Sequence, residues 1–70
     1  MMSKVRVKEI SHPGGSATFQ SQDPISGEWT DVFIRSGNSK ADISDYNKRV
    51  SDWIAEKKQN GVDVIKVPNY

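Results

Sequence analysis

The chain has 70 residues, enough for one small domain spanning residues 1–70 and for no second one. It contains no cysteine, so a disulfide framework, a thiolate nucleophile and a cysteine-bound zinc site are excluded. Ten lysine and arginine residues stand against nine aspartate and glutamate residues, and this near balance gives no general indication of a nucleic-acid-binding chain.

The first predicted element is a strand over residues 5–10, where apolar and basic side chains alternate. Val5 and Val7 lie on one face, and the other face is basic: it carries Lys4, Arg6 and Lys8. This period of two is typical of a half-buried strand. The strand ends before Pro13, which cannot donate to a strand ladder. The alternative explanation of the basic trio is an edge strand, where charge discourages aggregation.

A hairpin is predicted over residues 16–35. Its first strand is residues 16–21, and its second is residues 29–35, which are rich in β-branched and aromatic side chains. Between them, Pro24 suits the first central position of a type I turn. Gly27 can adopt the left-handed conformation that leads into the second strand.

A helix is predicted over residues 40–60. Ser39 with Asp42 forms a capping box at its start, Asp42 with Asp45 is a competing cap, and Gly61 is the expected residue just beyond its end. One stripe of the helix is apolar and carries Ile43, Tyr46, Val50, Trp53 and Ile54. This spacing is typical of an amphipathic helix that packs on a core.

A last strand is predicted over residues 62–67 and ends at Pro68. The order β-β-β-α-β predicts an α+β fold, in which a small, largely antiparallel sheet carries the amphipathic helix on one face. The position of the last strand, and whether it runs parallel to the first, is open.

The second hairpin strand is apolar on both of its faces, so the length of the turn decides which side chains are buried. Four loop residues place Phe19 on the same face as Val32 and Ile34, whereas five would place it with Trp29 and Phe33. We favour four, because the branched aliphatic side chains are then buried against the helix. Trp29 and Phe33 are then left on the face turned away from the helix.

That arrangement predicts a candidate surface of seven residues on the face turned away from the helix. Its members are Lys4, Arg6, Lys8, Gln20, Trp29, Phe33 and Arg35. Apolar aromatic side chains bordered by basic and polar groups mark a binding surface. The competing interpretation is that Trp29 and Phe33 belong to the core, with Val32 and Ile34 half-exposed.

The sequence contains no recognisable combination of catalytic or metal-binding residues. His12 is the only histidine, and neither a second histidine nor a cysteine is present to complete a zinc site or a nucleophile–base pair. The glycines at residues 14–15 lack the Gly-Lys-Ser/Thr ending of a phosphate-binding loop. We therefore expect no enzyme, no catalytic residue, no metal, no cofactor and no small-molecule substrate.

The hairpin over residues 19–37 has the turn Asp-Pro-Ile-Ser-Gly-Glu at residues 23–28 and a helix directly after it. It resembles the small three-stranded DNA-binding domains at the front of phage-type integrases, whose sheet face enters the major groove. The resemblance covers about half the chain and implies a sheet face that binds DNA. The basic residues that the family places after its third strand are missing here, and Asp31 would oppose phosphate.

The helix segment over residues 45–56, with Tyr46, Val50 and Trp53, resembles terminal helices of some small phage structural and assembly proteins. Both resemblances imply a phage or mobile-element origin. With the missing catalytic chemistry, they predict a small protein-interaction module, an accessory or regulatory protein that binds a partner protein or a second copy of itself. Trp29 and Arg35 are its predicted hot spots.

The alternative function is a nucleic-acid-binding domain that resembles the integrase arm domain and uses the basic sheet face. A continuous basic face would favour nucleic acid, and a face of mixed charge would favour a protein. No apolar run approaches the roughly 18–20 residues that span a membrane, and no segment has the pattern of a signal peptide. We therefore expect a cytoplasmic protein with no membrane partner.

Overall fold

The computed structural model describes residues 3–68 and contains the five elements in the predicted order. They are β1 (Ser3–Ser11), β2 (Ala17–Gln22), β3 (Trp29–Arg35), α1 (Lys40–Gln59) and β4 (Val62–Lys66). The strands form one sheet in the order β3-β2-β1-β4. β2 pairs antiparallel with β1 and β3, and β4 pairs parallel with β1. The α+β fold with one helix on a largely antiparallel sheet is confirmed, and β4 takes the position that the sequence left open.

Helix α1 begins and ends at the predicted signals. The Ser39 hydroxyl oxygen accepts a hydrogen bond from the Asp42 backbone N–H at 3.1 Å, so it satisfies one of the free amides of the first turn. The helix ends at Gln59, one residue earlier than predicted, with Asn60 as its cap. Gly61 follows with a φ of +77°, a conformation that glycine adopts without steric cost.

The core lies between the helix and one face of the sheet. Its fully enclosed side chains are Val7, Ala17, Phe19 and Tyr46, and the partly buried ones against them are Val32, Phe33, Val50, Trp53, Ile54 and Val64. The Phe19 ring meets the edge of Trp53 at a centroid distance of 5.3 Å and stacks with Phe33 at 6.3 Å. The helix stripe is therefore used as predicted, except that Ile43 in the first turn is 37% exposed.

Tyr46 carries the one phenol hydroxyl that the core buries within residues 3–68. This hydroxyl donates a hydrogen bond to the Glu9 carboxylate at 3.2 Å, and the ring lies 5.5 Å from the Arg35 guanidinium. Burial, reinforced by the negative charge of Glu9 and its hydrogen bond, raises the pKa of Tyr46 to about 12. The opposing effect of Arg35 is smaller.

Alkaline pH should therefore weaken the fold through Tyr46. The unfolded chain loses the Tyr46 proton near pH 10, whereas the folded chain keeps it until pH is about 12. The free energy of unfolding should consequently fall as pH rises through this window. Urea unfolding of the native chain and of Tyr46→Phe at several pH values measures this fall in the free energy of unfolding. We expect the free energy of the variant to depend less on pH. Equal losses in both proteins would show that other groups cause the decline.

Candidate binding surface

The single helix covers one face of the sheet and leaves the other bare of secondary structure in the described part of the chain. On β1, Val7 is fully buried beneath the helix, whereas Arg6 points the other way and is exposed. The alternation of side chains along each strand and the strand registers place further side chains on the same face of the sheet as Arg6. We call this surface the open face; it includes Lys4, Arg6, Lys8, Gln20, Trp29, Asp31, Ile34, Asp63 and Ile65.

A β-bulge in the hairpin decides which aromatic ring lies on the open face. The turn holds four residues, since the Asp23 N–H donates to the Glu28 carbonyl at 2.8 Å, and Gln22 pairs with Trp29. The pairing then shifts by one residue next to Phe19, which faces Phe33 instead of Val32. A bulge of this kind reverses the face of every side chain beyond it.

Two of the predicted members of the candidate surface are therefore on the wrong face. Phe33 stacks with Phe19 and packs on the core, and Arg35 lies against Tyr46 on the helix side. Ile34, which was expected to be buried, is 67% exposed on the open face. The prediction was right about the turn length and wrong about these faces, because one extra residue restarts the alternation. The competing interpretation is wrong for Trp29, which lies on the open face.

Arg35 links two loops on the helix side. Its Nη1 donates to the carbonyl oxygens of Gly15 at 2.9 Å and Gly37 at 2.7 Å. These bonds connect the β1–β2 loop to the segment that precedes the helix. Arg35 is thus separated from the surface for which the sequence suggested it as a hot spot.

The basic row crosses the middle of the open face. Lys4, Arg6 and Lys8 project from β1, which lies between β2 and β4 in the sheet order. Pairing with β4 covers residues 3–7 and pairing with β2 covers residues 7–11, so Lys4 and Arg6 lie beside β4, whereas Lys8 lies beside β2. β1 as a whole is not an edge strand, but each cation lies where the strand pairs on one side, so edge-strand protection stays an alternative explanation of the trio. Alternate side chains of a strand lie about 7 Å apart, so the three cations form a regular line. The one ion pair within residues 3–68 is Asp45–Arg49 on the helix, so this line meets no carboxylate at ion-pair distance in the described part of the chain.

Aromatic and acidic groups lie beside this row. The Lys8 ammonium is 4.2 Å from the centroid of the Trp29 ring, which is half-buried. The Gln20 side chain donates to the Asp31 carboxylate at 2.7 Å. Asp63 pairs with Lys4 in the strand register. The charge of the open face is therefore mixed, with the cations central and the acids on the two outer strands.

The turn of the hairpin borders a groove of about 460 Å³ at one end of the open face. Lys4, Arg6 and Ile65 line it from the sheet, and residues 22–27 line it from the turn. We call it the turn groove. A second depression of about 390 Å³ lies between β3 and the start of α1, where Arg35, Asp42 and Tyr46 contribute to its walls.

No protein-family model matches the chain, and no curated protein or solved structure matches it either. The integrase and phage-assembly resemblances stay predictions.

Within residues 3–68, no three histidine or acidic side chains lie close enough together to hold a metal ion. The ring Nε2 of His12 lies 2.9 Å from the hydroxyl of Thr18, which is buried. Over the same residues, we find no helix with the length and apolar character needed to cross a membrane.

Five predicted surface residues come together on the open face: Lys4, Arg6, Lys8, Gln20 and Trp29. Sequence reasoning missed Ile34, which the bulge turned outward, and Ile65, whose strand had no assigned position. It also missed Ile25, which is 96% exposed in the turn. The sequence did contain a signal for Ile25, because an isoleucine is an unexpected residue in an exposed turn.

Proposed function

We propose that this chain is a small non-enzymatic protein-interaction module that binds an acidic region of a partner protein through its open face. The observation that carries the proposal is the line of Lys4, Arg6 and Lys8 along one face of β1, without a carboxylate at ion-pair distance within residues 3–68. Ion pairing across an interface supplies specificity and a fast association rate.

Apolar groups beside the basic row support a protein ligand. Trp29 lies against Lys8, and Ile65 pairs with Arg6 in the strand register. Ile34 lies on the same face farther away, on β3 across β2. Tryptophan and isolated apolar side chains surrounded by polar groups are common in the centres of protein interfaces. A sheet face exposed to water is ordinary in itself, so the support comes from this composition.

The mixed charge of the open face favours protein over nucleic acid. A nucleic-acid backbone carries a phosphate at every nucleotide and could not avoid Asp31 and Asp63, whereas a peptide can place its carboxylates beside the cations alone. Arg35 is held on the other side of the sheet. Nucleic acid is the second candidate because the basic row lies beside an aromatic ring, a combination that single-stranded nucleic acids also use. In that case affinity would fall steeply with salt.

A random-peptide library displayed on phage and selected on the immobilised protein tests the proposal. We expect enriched peptides that Trp29→Ala binds at least about tenfold more weakly. The variant should remain folded, because Trp29 lies outside the core.

Ile43→Ala is the matched control, since it also removes a partly exposed apolar side chain but from the helix. It should bind the enriched peptides as the native chain does. Failure to enrich any peptide, or equal losses in both variants, would contradict a protein-binding open face.

A further inference from the structure

The turn that closes the hairpin is held by hydrogen bonds from both side chains and backbone. The Asp23 carboxylate accepts from the backbone N–H groups of Ile25 at 2.7 Å and Ser26 at 3.0 Å. The Gln22 side chain donates to the Gly27 carbonyl at 3.0 Å. The backbone hydrogen bonds from Ser26 and Ile25 favour the charged carboxylate and hold the pKa of Asp23 below its usual value.

This hydrogen-bonded turn exposes an isoleucine side chain to water. Ile25 is 96% exposed, although nothing in the turn chemistry requires an apolar side chain there. The backbone of Ile25 is already held by the hydrogen bond to Asp23, so little backbone entropy is lost when a ligand covers this residue. Ile25 is therefore suited to contact a partner.

The opposite wall of the turn groove supplies charge. Lys4 and Arg6 both line the groove and lie two residues apart on β1, which separates them by about 7 Å. Ile65, next to Arg6 in the strand register, adds an apolar patch. The acid in the lining, Asp23, is engaged by two backbone amides of its own turn.

We infer that the turn groove binds an extended acidic peptide segment of the partner, with carboxylates at alternate positions and an apolar side chain next to them. This inference rests on the proposed function and locates it. An extended peptide repeats its side chains every two residues at about 7 Å, which matches the spacing of Lys4 and Arg6. Its carboxylates make charge-assisted hydrogen bonds to them, and its apolar side chain packs between Ile25 and Ile65.

The peptide selection described above gives the first test through the sequences that it enriches. We expect acidic residues at alternate positions beside an apolar residue. The double variant Lys4→Glu/Arg6→Glu should bind these peptides at least about tenfold more weakly. A new selection on this variant should enrich basic residues at the same spacing. The neutral variant Lys4→Gln/Arg6→Gln, which introduces no repulsion, should show an intermediate loss.

Two further variants alter the side of the turn groove that the hairpin turn forms and leave Lys4 and Arg6 unchanged. Asp23→Ala removes the hydrogen-bond acceptor that orders the turn, and Ile25→Ser removes the apolar contact. Both substitutions should lower the affinity for the enriched peptides by several-fold. Ile43→Ser, which alters an exposed isoleucine on the helix instead of the open face, is the control and should bind as the native chain does. Circular dichroism should show native folding for all of them.

Failure of the turn groove is distinguishable from failure of the proposed function. Two results would contradict the turn groove as the peptide site and still agree with a protein-binding open face. In the first, the enriched peptides contain no acidic residues. In the second, acidic peptides bind the Lys4/Arg6 variants normally but bind Trp29→Ala more weakly. A DNA duplex that displaces the peptides at physiological salt would overturn the acidic peptide as the natural ligand. No enrichment at all would overturn both.

Discussion

Replacing Phe19 by alanine is expected to leave most of the protein unfolded at room temperature. Phe19 is 1% exposed and contacts both the helix and β3 through Trp53 and Phe33. Truncating a buried phenylalanine costs about 3–5 kcal/mol. A single core in a domain of this size rarely supplies more than about 3–5 kcal/mol in total. The substitution therefore removes about as much free energy as the fold contains.

Circular dichroism and amide dispersion in a proton–nitrogen spectrum measure this loss. Phe19→Leu is the matched control, because it keeps an apolar side chain of moderate size and should remain folded with a lower Tm. If Phe19→Ala unfolds cooperatively with a Tm within a few degrees of the native value, the core is not centred on this ring. A loss of 1 kcal/mol corresponds to about 4–8 °C in a domain of this size.

Phe33→Ala should destabilise the protein by about 2–3 kcal/mol, less than a fully enclosed ring because Phe33 is only half-buried. Its ring stacks with Phe19 on the helix side of the sheet. Trp29→Ala, four residues earlier in the same strand, should cost no more than about 1 kcal/mol, since it removes mainly an exposed contact with Lys8. The bulge is the reason for this difference.

Urea unfolding of the two variants measures the difference directly. Without the bulge, both side chains would lie on one face, and both substitutions would have similar effects. Equal destabilisation by the two variants, or a larger effect of Trp29→Ala, would contradict the assignment of these rings to opposite faces.

Local signals in the sequence predicted the elements well. The alternation around Val5 and Val7, the Ser39 cap and Gly61 each act over a few residues, so their meaning does not depend on distant contacts. The four-residue turn was also predicted, because its proline and glycine satisfy particular backbone conformations.

Long-range pairing was beyond the sequence pattern. The bulge at Phe19 depends on how β2 and β3 pack under the helix, and no residue type in the hairpin predicts it. The parallel pairing of β4 with β1, which brings Ile65 beside Arg6, joins segments far apart in the chain. Consequently the basic row was found, while its apolar neighbours were partly misassigned.

The most direct test of the protein-binding open face is a titration of the isotope-labelled protein, followed by backbone amide shifts at physiological salt. An enriched acidic peptide should shift amides in residues 4–8, 23–29 and 63–65, while the middle of α1 stays unchanged. A random-sequence DNA duplex should leave the same amides unshifted at this salt concentration. If the duplex shifts them and the peptide does not, the open face binds nucleic acid and the proposed function is contradicted.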